Sequence, residues 1–202
     1  MSKILAIYGT SYGQTERVVQ RMARVLTAAG HTVFTLKANQ PPPAPSLAEF
    51  DAYLIAASVL FGRHQRYVRD FVRGHADLLN STPSAFVSVC GAAGGLSPPE
   101  QQQAQAYVDR FLRDTGWRPR LTTSVGGAMA YTRYGPITRW IIKRISRRKG
   151  GPTDTSRDHE STDWAAVDDF ARRFAAGVTR PETSRPPAGT RDLAAVGRRS
   201  DL

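Results

Sequence analysis

Cysteine occurs once in the 202 residues, at Cys90. A single thiol excludes a disulfide framework and any Cys-rich zinc or iron–sulfur site. Long apolar runs are missing too: the Ile4 to Tyr8 segment is far short of the roughly 20 residues that a membrane-crossing helix needs. Neither a spanning protein nor an obviously secreted one is indicated, and a cytoplasmic location is the expectation. Acidic residues are scarce, with 17 Asp+Glu against 28 Lys+Arg, a formal net charge of +11. Lysine is scarce as well, limited to Lys3, Lys37, Lys143 and Lys149, so the positive charge is almost entirely arginine. With 41% hydrophobic and 22% charged residues the composition is otherwise that of a core-forming chain, which excludes wholesale disorder. The basic excess admits three partners: nucleic acid, an anionic membrane surface, or an acidic small molecule.

The chain alternates short apolar runs with helical patterns. Lys3 to Tyr8 is a nearly continuous apolar run that ends at Gly9, as expected of a strand buried on both faces. Val18, Val19, Met22, Val25 and Leu26 then recur on one helical face, and Gly30 stops that helix. Val33 to Leu36, Ala52 to Ala57, Ala85 to Val89 and Leu121 to Val125 are further strands, with helices expected at about 64–80, 99–115 and 163–177. The Pro-rich stretch 41–45 reads as a connector. This pattern predicts an α/β domain over 1–180 with a parallel five-stranded sheet. Residues 131–162 interrupt the step from the fifth strand to its helix, and the Pro-rich segment 181–202 reads as a disordered tail.

A strand, a loop with hydroxyls and glycine, and then a helix start form an arrangement suited to phosphate. The first-turn N–H groups have no intrahelical partners, and the helix dipole favours an anion there. Thr10, Ser11, Tyr12, Gly13, Gln14 and Thr15 make up this loop. It lacks the lysine of a Walker-type loop and the spacing of a dinucleotide fingerprint, which points to flavin mononucleotide (FMN). The alternative is that Thr10 or Ser11 merely caps the helix. In an open parallel sheet the ligand lies beyond the carboxyl ends of the strands. There the third strand offers Ser58, Phe61 and Gly62, and the fourth offers Ser88, Val89, Cys90 and Gly91, for the flavin ring and ribityl chain.

Several motifs together resemble the flavodoxin-like, menaquinone-dependent protoporphyrinogen IX dehydrogenases (protoporphyrinogen oxidases). They are Tyr12-Gly13-Gln14-Thr15, Ala57-Ser58-x-x-Phe61-Gly62, Pro83-Ser84-Ala85-Phe86-x-Ser88-Val89, Trp117-Arg118-Pro119, Gly127-Ala128-x-x-Tyr131-x-Arg133-Tyr134, Gly150-Gly151-x-Thr153-Asp154-Thr155 and Thr162-Asp163-Trp164. The resemblance covers about residues 3–177, and its later motifs are the more specific because plain flavodoxins lack that insertion. It implies a three-layer sandwich with strand order 2-1-3-4-5 and a basic helical insertion before the last helix. It also implies non-covalent FMN, protoporphyrinogen IX as substrate, and a membrane quinone, menaquinone or ubiquinone, as electron acceptor. The stretch Gly91 to Pro99 departs from the basic stretch associated with the family there. A flavodoxin-type electron carrier, or a quinone reductase without a porphyrin substrate, is the alternative. Plain flavodoxins are typically acidic, so the charge of +11 argues against a carrier.

Tyr131 to Gly150 holds seven basic residues and no acidic one, which is +7 of the net +11. Pro136 opens a helix, and Ile137, Trp140, Ile141 and Ile145 fall on one face of it. Arg139, Lys143, Arg144, Arg147 and Arg148 lie largely on the other faces, and Arg133 stands just before the helix. Such a helix suits an anionic membrane surface, which would place the protein peripherally on the inner face of the cell membrane. Alternatively, the arginines hold substrate carboxylates, or the stripe packs on the domain. Nucleic acid is disfavoured because no binding motif accompanies the patch. His64 is a weak candidate for a proton acceptor, Cys90 reads as a small buried residue, Trp117 and Trp164 as packing residues, Asp154 as a turn residue and Asp163 as a helix cap. No metal site is suggested.

Overall fold

The computed structural model describes residues 1–40, 46–95, 97–148 and 150–178. The Pro-rich connector 41–45, Lys149 and the tail 181–202 lie outside the described residues. Strands β1 (Lys3–Gly9), β2 (Thr32–Lys37), β3 (Ala52–Leu60), β5 (Ser84–Cys90) and β6 (Leu121–Gly126) pair in parallel in the order β2-β1-β3-β5-β6. A two-residue strand, β4 (Arg63–His64), folds back antiparallel on the end of β3. Once that stub is set aside, the topology is the expected 2-1-3-4-5.

Burial of β1 on both faces explains its unbroken apolar run: Ile4, Leu5, Ala6 and Ile7 are all inaccessible to solvent. Side chains alternate along a strand, so Ile4 and Ala6 face helices α1 (Gln14–Ala28) and α6 (Trp164–Val178), where Met22, Leu26, Phe170 and Phe174 pack. Leu5 and Ile7 face the opposite layer, made by α2 (Arg66–Gly74), α3 (Ala76–Ser81) and α4 (Pro98–Thr115), with Val68, Val72, Val108 and Phe111. Each such aliphatic side chain contributes about 1.5–3 kcal/mol by leaving water. Trp117 packs on Phe86, as expected, and donates from its indole Nε1 to Ser84 Oγ at 3.0 Å.

Two elements differ from the sequence reading. β3 runs on to Leu60, because Phe61 and Gly62, both with positive φ (49° and 78°), form a two-residue hairpin loop that returns the chain to Arg63–His64. The single helix expected at 64–80 is broken at Gly74-His75 into α2 and α3, where the His75 ring stacks on Phe71. His64 is consequently a strand residue, not part of a helix.

The insertion is a small lobe. Strands β7 (Ala128–Met129) and β8 (His159–Glu160) form an antiparallel ribbon, with α5 (Pro136–Arg148) between them in sequence. Ala130, Tyr131 and Tyr134 form its own core, against which Tyr12, Met129 and Ile142 pack. Because Tyr12 belongs to the loop after β1, the lobe is joined to that loop by apolar contact. Asp154 and Asp163 act as expected: Asp154 accepts from the N–H of Ser156, and Asp163 from that of Ala166 at the start of α6.

Candidate FMN site

The strand order reverses at β1 and β3, and the crevice at such a switch point is where ligands bind in open α/β sheets. The loop Thr10–Gly13 leads from β1 into α1. Thr10 Oγ1 accepts from the Gly13 N–H at 2.8 Å, and Gly13, at φ 91°, turns the chain left-handed into the helix. No side chain caps α1. Neither Thr10 nor Ser11 plays the alternative capping role, so the first-turn N–H groups stay available to an anion. Thr15 is fully buried in that first turn, and its Oγ1 has no hydrogen-bond partner. A buried hydroxyl without a partner is costly; a phosphate oxygen at this helix start would satisfy it. The loop therefore fits the phosphate of FMN on its own geometry.

From the loop a cleft opens in two connected parts. The narrow part, about 60 Å³, has Thr10, Ser11, Thr15, Ser58 and Val89 in its walls. The wide part, about 380 Å³, runs between the Phe61-Gly62 hairpin tip and the insertion lobe. Val59, Leu60, Cys90, Gly91, Ala128 and Tyr134 line both. A phosphate end closed by backbone N–H groups and a wider apolar end match the shape of FMN. Phe61 is a non-glycine residue in left-handed conformation, which costs roughly 1–3 kcal/mol. That conformation holds its ring, 57% exposed, over the mouth of the wide part.

Gln65, which no motif singled out, braces this site. Its Nε2 donates to Ser11 Oγ at 3.1 Å and to Ser58 Oγ, linking the phosphate loop to the end of β3. Gly9 is required beneath it: a Cβ there would lie 2.3 Å from Val68 Cγ2 on α2. From the other side, Arg133 Nη1 donates to the Tyr12 carbonyl at 2.6 Å while its Nη2 reaches Asp158. Tyr134 meets Tyr12 edge-on at 4.6 Å, and burial raises its phenol pKa, so the hydroxyl stays protonated. The lobe thus clamps the loop whose geometry fits the phosphate.

Not every expected site residue faces the cleft. Ser88 is fully buried, and its Oγ is 3.0 Å from His64 Nε2, on the α4 side of the sheet. Strand alternation sends it there, while Val89 turns to the FMN side. His64 lies against the rings of Phe86 and Phe111, outside the cleft walls, and burial lowers its pKa to about 4. Gln14 lines the narrow part, but its amide is engaged by Glu160, Thr162 and Arg17. On α5, Arg139 donates to the carbonyls of Tyr131 and Tyr134 and is a structural brace. On this helix Ile142 packs on the lobe's core and Ser146 donates to the Pro152 carbonyl, while of the Ile137/Trp140/Ile141/Ile145 stripe Ile141 is half-buried. Ile137 and Trp140 are 75% and 63% exposed, Ile145 borders the cleft, and Arg144 lies over the Trp140 ring at 5.7 Å. Lys143 is half-buried; Arg147 and Arg148 are exposed. Tyr107, Met129, Tyr134 and Ile142 are cleft residues that the sequence did not mark as such.

Sheet order, uncapped helix start and cleft together define a flavodoxin-type flavoprotein, and the family model described as a flavodoxin domain matches residues 5–156. Among solved structures, oxidised flavodoxin 1 of Bacillus cereus superposes with a TM-score of 0.53 at 17% identity, covering 87% of this chain and 98% of that one. An NADH:FMN oxidoreductase in its apo form gives 0.55 at 11% identity, covering 92% and 94%. These likenesses are of fold. In sequence, the chain is 34% identical over 181 residues to the protoporphyrinogen IX dehydrogenase (quinone) of Escherichia coli K12, covering 89% of this chain and 98% of that protein. It is 31% identical over 188 residues to the enzyme of the same name from Leishmania major, covering 93% and 80%. The chain belongs to the protoporphyrinogen IX dehydrogenase (quinone) family and is an FMN-dependent oxidoreductase.

Proposed function

We propose that this protein oxidises protoporphyrinogen IX to protoporphyrin IX and passes the electrons to a quinone dissolved in a membrane, the activity named for its relatives. The observation that carries this reading is the open, largely apolar cleft of about 380 Å³ between Phe61 and the insertion lobe, continuous with the phosphate loop. A macrocycle needs a broad apolar face beside the flavin, and Phe61, Leu60, Met129, Ile142 and Ile145 offer one.

When bound, FMN supplies two-electron redox chemistry between an organic donor and a second acceptor. Conversion of the porphyrinogen removes six electrons and six protons, so three turnovers reduce three quinones to quinols. The chain itself binds and orients. The α1 N-terminus and Thr15 hold the phosphate, Gln65 and Arg133 keep the loop in place, and Cys90, Gly91 and Ala128 leave room for a planar ring. Tyr107, whose phenol pKa is raised by burial, remains a proton-bearing donor at the cleft wall.

The outward side of α5 supports docking on an anionic leaflet. Ile137 and Trp140 are exposed there, with Lys143, Arg144, Arg147 and Arg148 around them. Exposed Trp with flanking basic residues is the composition of an interfacial helix. No helix among the described residues is long and apolar enough to cross a membrane. Docking of this kind would bring the cleft mouth, bordered by Ile145, to the lipid in which quinone is dissolved.

The test is an anaerobic assay of porphyrin fluorescence with FMN-loaded protein, protoporphyrinogen IX and a quinone. Fluorescence growing with quinone consumed, three to one porphyrin, is the expected result. Flavin that quinone reoxidises but porphyrinogen never reduces would instead identify a quinone reductase with another donor.

A further inference from the structure

Beside the FMN cleft lies a second cavity, of about 370 Å³, that no sequence motif marked. Its walls carry Arg63, Arg69 and Arg110, with Asp114 as the acidic residue. Gly62 and Tyr107 belong to both spaces, so the cavity and the wide part of the FMN cleft share a wall. Among the described residues, none of the three arginines is in an ion pair. Arg110 reaches only the Gly62 carbonyl, at 3.4 Å. Arg69 is the most telling: its Nε is buried and has no hydrogen-bond partner.

Three guanidinium groups against one carboxylate leave this cavity with an excess of positive charge. His64, also in its wall, adds none at neutral pH because burial keeps its imidazole uncharged. A buried donor on a charged group is expensive to leave unpaired, and no protein acceptor is aimed at Arg69. Clefts lined by one sign of charge with low-dielectric walls concentrate counter-ions. The planar fork of arginine pairs with the two oxygens of a carboxylate as it does with those of a phosphate, and of the two the porphyrinogen carries carboxylates.

We propose that this cavity is a carboxylate subsite, in which Arg69 and Arg110, supported by Arg63, hold an acidic side chain of the substrate whose ring lies at the mouth of the FMN cleft, against the flavin. The proposal rests on the porphyrinogen reading above: protoporphyrinogen IX carries two propionates at one edge of an otherwise apolar macrocycle. Ring and carboxylate would then be sorted into two adjoining spaces, one apolar and one cationic, on either side of Gly62 and Tyr107. This orients the macrocycle, and it assigns the carboxylates to α2 and α4 in place of the insertion.

The test is a binding experiment, independent of turnover. The FMN-loaded protein is titrated with protoporphyrin IX and with its dimethyl ester in the same neutral detergent, and porphyrin fluorescence is followed. The wild type should bind the acid at least about tenfold more tightly than the ester, the range of a charge-assisted hydrogen bond. In Arg69→Gln and Arg110→Gln the ratio should fall towards one, through loss of acid affinity alone, while Arg69→Lys recovers only part of it. FMN content should be unchanged in all variants, since none of these side chains touches the phosphate loop. Equal binding of acid and ester by the wild type, or a ratio that survives both Gln variants, overturns the subsite. The two readings separate cleanly. An acid preference lost in the variants, with no porphyrinogen oxidation, retains the subsite and rejects the activity; oxidation without acid preference does the reverse.

Discussion

Thr15→Val tests the phosphate site through two effects of opposite sign. Thr15 Oγ1 is buried and no group of the protein pairs with it, and the residue is 0% exposed. Burying an unpaired hydroxyl costs about 1–3 kcal/mol in mutational data. Valine fills nearly the same space without the hydroxyl, and the two have similar helix propensity. The FMN-free variant should therefore be more stable by about 1 kcal/mol, a rise of roughly 2–4 °C in melting temperature for a chain of this size. The holoprotein should respond oppositely. A hydrogen bond to a charged phosphate contributes about 1.5–3 kcal/mol, so the variant should bind FMN roughly ten- to a hundredfold more weakly. Melting curves with and without FMN, together with quenching of flavin fluorescence, measure both effects. Thr15→Ser, which keeps the hydroxyl, should retain most of the affinity. A variant less stable than wild type without FMN, or FMN affinity unchanged within about twofold, would refute the assignment.

Charge reversal at Arg144, Arg147 and Arg148 should weaken co-sedimentation with anionic vesicles by more than a hundredfold at low salt, since each basic residue near such a surface contributes roughly 1 kcal/mol. The loss should shrink as salt is added, and unchanged binding would remove the membrane role. Acid stability should report on His64. Its pKa is lowered to about 4 from the ordinary 6.5, mainly by burial, so between those values the unfolded chain binds the extra proton and the fold loses stability as pH falls. Full development of that shift corresponds to about 3 kcal/mol. His64→Gln should flatten the dependence of the urea midpoint on pH from 6.5 to 4, and an identical slope in both proteins would show that His64 is not the group responsible.

Much of the fold was legible in the chain. The run Lys3 to Tyr8 and the helical spacing of Val18, Val19, Met22 and Leu26 reflect burial on two faces and on one face respectively, and both periodicities follow from backbone geometry. The candidate phosphate loop was legible because strand, loop and helix start are contiguous in sequence, whereas the sheet order came from the family resemblance and not from periodicity. The split of the 64–80 helix was not, since it accompanies the stacking of the His75 ring on Phe71. Nor was the face of α5 that turns inward. Spacing marked Ile137, Trp140, Ile141 and Ile145 as an apolar stripe for a membrane or for the domain, whereas it is Ile142 that packs on the Tyr131/Tyr134 core and Ser146 that donates to the Pro152 carbonyl.

The sequence alone determined what local pattern can encode: an α/β sheet, a helix start suited to an anion and without a lysine, and a basic excess concentrated in one insertion. Tertiary structure decided everything that depends on distant residues meeting. It turned Ser88 and His64 away from the flavin cleft and set Gln65 between Ser11 and Ser58. It bound Arg139 and Arg133 to backbone carbonyls, and it gathered Arg63, Arg69 and Arg110 from three elements around one cavity. The physical reason is that a side chain's role depends on which neighbours satisfy its charge and hydrogen bonds. For residues some 40 positions apart, such as Arg69 and Arg110, only the packed fold supplies those neighbours.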